Sequence, residues 1–244
     1  MTDIKKRIRI VLVNPDESGN IGAVCRSMKT MGIEKLVIAG DRVHDRRVIE
    51  YMSVHAFDIY EKAVHVPTLE EALEGVVLSV GTSRREGKKR KYRTFLPEEM
   101  CERFCHTQEG EIAVVFGNEQ HGLTDRELSL CNAVIAIPTS DEFPSLNLSH
   151  AVQIICYHIF RESQKLPPVH AFTPVSVKEI EEVSENLIEN FRRIGFFKID
   201  GSEEMKIFFR DIFTRAMLCK EEAAKIDRIF SKVAGIKRKN ENIT

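Results

Sequence analysis

Through about residue 163, short apolar runs alternate with amphipathic stretches, and no other feature of this chain restricts its fold so tightly. Ile8–Val13, Lys35–Ala39, Val64–Val66, Val76–Val80, Ile112–Phe116 and Ala133–Ile137 read as strands. Helices are expected over about 20–31, from Thr68 onward, over Pro97–Cys105, near Thr124–Leu130 and over about 147–162. Strands continuous in Val, Ile, Leu and Ala are expected where both faces of a sheet are covered. The alternation therefore predicts an α/β domain with a mostly parallel sheet.

The pattern changes after residue 163. Residues 164–175 (QKLPPVHAFTPV) hold three prolines, which interrupt helices and stiffen linkers. Beyond them Val177, Ile180, Val183, Leu187, Ile188, Phe191 and Ile194 recur at helical spacing, as do Ile207, Phe208, Ile212, Phe213, Ala216 and Met217. A third helix is expected over about 220–234. The division is thus a domain over 1–163, a linker over 164–175 and a small helical unit over 176–244.

Composition narrows the function. With 43% hydrophobic and 30% charged residues and a formal net charge of −1, the chain is an ordinary globular protein and not a general nucleic-acid coat. A local basic patch remains compatible with RNA. The cysteines, at 25, 101, 105, 131, 156 and 219, show no zinc-ligand spacing and no disulfide framework. No metal is expected. No stretch reaches the roughly eighteen apolar residues of a membrane span, so a cytoplasmic protein with no membrane partner is expected.

In parallel sheets ligands bind beyond the carboxyl ends of strands, so the loops after strands are the places to search. In Asn14–Arg26, Gly19 and Gly22 permit close backbone approach, Asn20 can cap the next helix, and Arg26 falls about two turns into it. In Gly81–Arg93, seven of the ten residues from Arg84 to Arg93 are Lys or Arg. Such a run is either a solvated face or a phosphate-binding one. In Phe116–Thr124, Gly117 and Gly122 flank Glu119 and His121; Glu119 could act on a ligand or hold loop N–H groups. In Pro138–Asn147, Ser145 and Asn147 can cap the following helix. The last three loops would gather at one end of the sheet.

Three segments stand in a fixed order: SGNIGAVCRSMKTMG (18–32), VVFGNEQHGLT (114–124) and IPTSDEFPSLNLSHAVQI (137–154). On them the chain resembles the TrmH-like branch of the SPOUT superfamily of methyltransferases. IRIVLV near the start, VGTSR after the fourth strand, Gly195-Phe-Phe197 and Ile212-Phe-Thr-Arg-Ala216 extend the likeness to the TrmJ type of tRNA ribose methyltransferase, over roughly residues 6–234. The resemblance implies a five- or six-stranded parallel sheet with a deep C-terminal trefoil knot, a feature periodicity does not show. It implies S-adenosyl-L-methionine as cofactor, held by Thr82, Ser83, Arg84, Gly117, Ile137 at a strand end, Pro144, Ser145 and Leu146. It implies a homodimer whose sites are completed by the partner subunit. It assigns Arg26 to catalysis and makes Asn20, Glu119, Ser145 and Asn147 important for activity or loop structure. Two local departures are Asn118, where close relatives often carry Arg, and Phe143-Pro144.

The expected reaction is 2′-O-methylation of tRNA at nucleotide 32, which needs in-line alignment and help for a departing proton. An arginine stays protonated, so Arg26 suits an alkoxide stabiliser better than a base. Arg84, Arg85, Lys88, Lys89, Arg90, Lys91 and Arg93 are candidate RNA contacts, alongside the C-terminal helices. The alternatives are ribosomal RNA as substrate, a SPOUT-like protein that binds RNA without catalysis, and a nucleotide-dependent oxidoreductase, which would want a dinucleotide glycine pattern absent from this sequence.

Overall fold

A computed structural model describes residues 3–84, 94–107, 109–164, 173–197 and 201–241, with side chains in the last stretch through 236. These residues form two compact units, dividing between Phe172 and Thr173. In the first unit the elements run β1 (Ile8–Val13), α1 (Ser18–Thr30), β2 (Lys35–Ala39), α2 (Arg46–Ser53), α3 (Phe57–Glu61), β3 (Val64–Val66), α4 (Leu69–Ala72) and β4 (Val76–Thr82). They continue as β5 (Thr94–Phe95), α5 (Pro97–His106), β6 (Glu111–Phe116), α6 (Asp125–Ser129), β7 (Ala133–Ile135) and α7 (Leu148–Ser163).

The sheet has seven strands in the order β3-β2-β1-β6-β4-β7-β5, and every neighbouring pair is parallel. This exceeds the five or six strands expected, because the two-residue β5 adds an edge. On one face Val11 and Val13 of β1 join Ala113 and Val115 of β6, with Leu69 of α4 and Leu128 beneath. Ile8, Ile10 and Leu12 point the other way and are fully buried. Both faces are thus covered, which is why the strands lack a polar alternation.

Three local expectations need correction. Helix α1 begins at Ser18, so Asn20 lies inside its first turn and does not cap it; Glu17 takes the cap position without a side-chain bond. Strand β7 ends at Ile135, so Ile137 lies in the following loop and not at a strand end. Segment 41–63, which the apolar pattern leaves unassigned, contains α2 and α3. Of α2, only Ile49 and Ser53 are buried, too few to print a helical stripe.

The second unit is helical: α8 (Val177–Arg193), α9 (Ser202–Ala216) and α10 (Lys220–Glu241). Ser176 and Glu179 cap α8 reciprocally, with Ser176 N donating to Glu179 Oε2 at 2.8 Å and Glu179 N to Ser176 Oγ at 3.3 Å. Ile180, Val183, Leu187 and Ile188 pack on Phe213, Leu218 and Ala223. Phe191 gathers Phe196 at 4.8 Å and Phe230 at 5.4 Å between ring centroids. Val175 is buried in this core, and Val175 N donates to Leu218 O at 2.7 Å, so the end of the expected linker packs with the helices. Residues 165–172 lie outside the described residues. Among the described residues, no helix is long and apolar enough to cross a membrane.

Candidate functional site

At the carboxyl end of the sheet one cavity is lined by three segments: Thr82–Arg84 from the last residue of β4, Phe116–Leu123 from the last residue of β6, and the β7–α7 segment at Ile137, Thr139 and Pro144–Leu146. All eight residues named for cofactor binding line it: Thr82, Ser83, Arg84, Gly117, Ile137, Pro144, Ser145 and Leu146. Ile135, Leu148 and Ala151 add apolar wall, and Asn118, Gln120, His121 and Thr139 add polar rim. The pattern-based reading did not single out Thr139, Leu148 or Ala151. The available signal for the last two was their i, i+3 spacing on the first turn of the helix after a motif loop.

Each loop is held by bonds its own sequence dictates. Thr82 Oγ1 donates to Val115 O at 3.0 Å and Ser83 N to Ile135 O at 3.0 Å, which pins the exit of β4 between its neighbours. Beyond Arg84, the remaining candidate RNA contacts Arg85, Lys88, Lys89, Arg90, Lys91 and Arg93 lie outside the described residues. The 117–122 loop doubles back so tightly that a Cβ on Gly117 would stand 2.2 Å from the carbonyl carbon of Gly122. Only glycine fits there. Asn118 closes the loop: its carbonyl accepts from Gly122 N at 2.8 Å and its Oδ1 from Gln120 N at 2.9 Å.

Glu119 turns away from the loop toward α1. Its carboxylate accepts from Asp16 N at 2.7 Å, Glu17 N at 3.3 Å and Asn20 Nδ2 at 2.9 Å. A negative group at a helix N-terminus meets unpaired N–H groups and the positive end of the helix dipole. The carboxylate thereby holds the turn that leads into α1. Asn20 in turn accepts from Asn147 Nδ2 at 2.8 Å, and Asn147 caps α7 by accepting from Ser149 N at 2.8 Å. Glu119, Asn20 and Asn147 thus form one chain of hydrogen bonds linking β6, α1 and α7. Ser145, also named as a cap, lines the cavity.

The loop after β2 braces the same turn from its other side. Arg42 pairs with Asp16, His44 Nε2 meets Pro15 O at 2.9 Å, and Asp45 N donates to Ser18 Oγ at 2.9 Å. Gly22 lets α2 press on α1, since a Cβ there would stand 2.5 Å from Ile49 O. Arg26 follows one turn later on the exposed side of α1 and does not line the cavity of its own chain. Among the described residues, no group of three or more His, Cys, Asp or Glu side chains is arranged to hold a metal.

Comparison with known proteins places this arrangement. A model of the SpoU rRNA Methylase family matches residues 7–157. The chain is 32% identical over 226 residues to a tRNA (cytidine-2′-O-)-methyltransferase TrmJ of Methanocaldococcus jannaschii, covering 88% of this chain and 95% of that protein. It is 38% identical over 221 residues to a tRNA (cytidine/uridine-2′-O-)-methyltransferase TrmJ of Pectobacterium atrosepticum, covering 86% and 89%. Among solved structures, a probable methylase family protein from Haemophilus influenzae superposes with a TM-score of 0.63 at 28% identity, covering 98% of this chain and 99% of that one.

Proposed function

The chain belongs to the SpoU rRNA Methylase family, and from that premise we propose that it methylates a ribose 2′-hydroxyl of tRNA using S-adenosyl-L-methionine. The observation that carries the reading is the convergence on one cavity of the loops that follow β4, β6 and β7, the last two belonging to the motif segments 114–124 and 137–154. Both relatives described above are tRNA ribose methyltransferases matched over most of their length.

The residues present fit such a donor. Ile135, Ile137, Leu146 and Leu148 form an apolar wall suited to a purine, with the hydroxyls of Thr82, Ser83 and Ser145 and the guanidinium of Arg84 nearby for sugar and amino-acid groups. Gly117 and Pro144 shape the loops that bring backbone to the cavity. When bound, S-adenosyl-L-methionine supplies an electrophilic methyl group. The protein's task is to align the ribose oxygen and stabilise charge on it while its proton leaves to water or an RNA phosphate. Arg26 does the latter as a fixed cation. Its exposure outside its own chain's cavity supports a homodimer in which each arginine serves the partner subunit's site. Asn20, Glu119 and Asn147 set the geometry of that helix.

The basic run 84–93 and the helical unit are the RNA-docking surfaces in this reading, and nucleotide 32 is the target. β7 lies between β4 and β5, the strands that this run joins, which supports a trefoil knot formed where the β7–α7 segment passes through the loop. The cell compartment in this reading is the cytoplasm. Ribosomal RNA is the second reading, favoured by the description of the family model.

The test is Arg26→Ala. Methyl transfer to tRNA should disappear while donor affinity stays within about threefold, roughly 0.6 kcal/mol. Near-full activity in that variant sinks the assignment. Mapping 2′-O-methyl sites in RNA from cells with and without the protein identifies the nucleotide; a lost site in ribosomal RNA alone would favour the second reading.

A further inference from the structure

Asn118 lines the cavity, yet its polar groups face the protein. Oδ1 accepts from Gln120 N at 2.9 Å, and Nδ2 donates to the carbonyl of Asn14 at 2.9 Å. Asn14 sits at the end of β1 with φ +46, a left-handed conformation that asparagine tolerates better than most residues. It is seated firmly there: Asn14 N donates to Ala39 O at 2.8 Å. A Cβ on neighbouring Gly40 would stand 2.2 Å from Asn14 Oδ1, so only glycine leaves room for it. Two residues later begins the Asp16–Glu17 turn that Glu119 holds, and then α1 with Arg26.

We infer that Asn118 is a positioning residue that couples donor binding to the RNA-facing helix by tying the cavity loop 117–122 to Asn14. The inference rests on the functional reading above and adds a regulation of that same site. A donor that orders the 117–122 loop also orders the turn from which α1 springs. Bound donor should therefore raise affinity for RNA, and by linkage RNA raises affinity for donor by the same factor. Because Asn118 Nδ2 contributes one neutral hydrogen bond, its share of the coupling is about fivefold.

The experiment measures tRNA binding to the full-length protein with and without saturating S-adenosylhomocysteine, in wild type and in Asn118→Asp and Asn118→Ala. Asn118→Asp keeps the acceptor for Gln120 N and replaces the donor to Asn14 O with a charged oxygen that repels it, while Asn118→Ala removes both groups without adding charge. The expected result is an affinity gain on donor binding in wild type of about fivefold or more, and a gain about fivefold smaller in both variants. kcat should fall about fivefold, with S-adenosylhomocysteine affinity within threefold and melting within about 4 °C of wild type. Unchanged coupling and kcat overturn the inference. So does donor affinity falling in step with kcat, which would place Asn118 in the donor site itself, or collapse of melting in both variants, which would make it merely structural. If wild type neither binds S-adenosylhomocysteine nor methylates tRNA, the underlying functional reading fails instead.

Discussion

Asn147 Nδ2 donates to Asn20 Oδ1 at 2.8 Å, joining two helix starts separated by 127 positions in sequence. The bond is the middle link of a chain that runs from Glu119 to Ser149, and it leaves neither amide oxygen idle. Replacing Asn147 removes two functions together, the α7 cap and the donor to Asn20. Asn147→Ala should cost about 1–2 kcal/mol of stability and lower methyl transfer more than tenfold. Thermal melting and a methylation assay check both; unchanged melting would show that the cap contributes nothing.

Val54 ends α2 with φ +57 and ψ −106, a conformation a β-branched residue almost never adopts. Its side chain is half exposed, so little packing offsets the strain. Val54→Gly should stabilise the protein by about 1 kcal/mol, the relieved strain exceeding the added freedom of the unfolded chain. Melting below wild type would contradict this.

Asp227 on α10 has a buried Oδ1 with no hydrogen-bond partner among the described residues. Burial pushes its carboxyl above the ordinary value of 3.8, against the hydrogen bond of Asn186. Because the folded state holds the proton more tightly than the unfolded one, this group favours folding below about pH 3.8 and loses that contribution as pH rises through the raised value. Asp227→Asn should therefore melt about 2 °C higher than wild type at pH 7. The advantage should vanish in acid. A gain that persists unchanged at pH 3 would point to some other cause.

Strands β1 and β2 fall where their apolar runs predict, because burial on both faces writes an uninterrupted signal; β3 also falls where predicted, although it is an exposed edge strand. β5 has only Phe95 buried, and two residues carry no periodicity. The cavity loops were legible as loops after strands, and the motif resemblance named eight of their lining residues for the cofactor, though not Thr139, Leu148 or Ala151. The partners of Glu119 were not legible. Its contacts to Asp16, Glu17 and Asn20 span about a hundred positions, and local spacing says nothing of such distances. The same holds for Asn20, which reads as a cap from sequence but lies inside the first turn and bridges Glu119 and Asn147.

The order of the sheet constrains how the chain is made. As the ribosome releases it, β4 and β5 emerge well before β7, yet among the described strands β5 pairs only with β7, and β7 pairs with both. The edge therefore cannot zip up in order of synthesis. A strand made late must enter between two made early, and the rim that holds the cavity closes only after that entry.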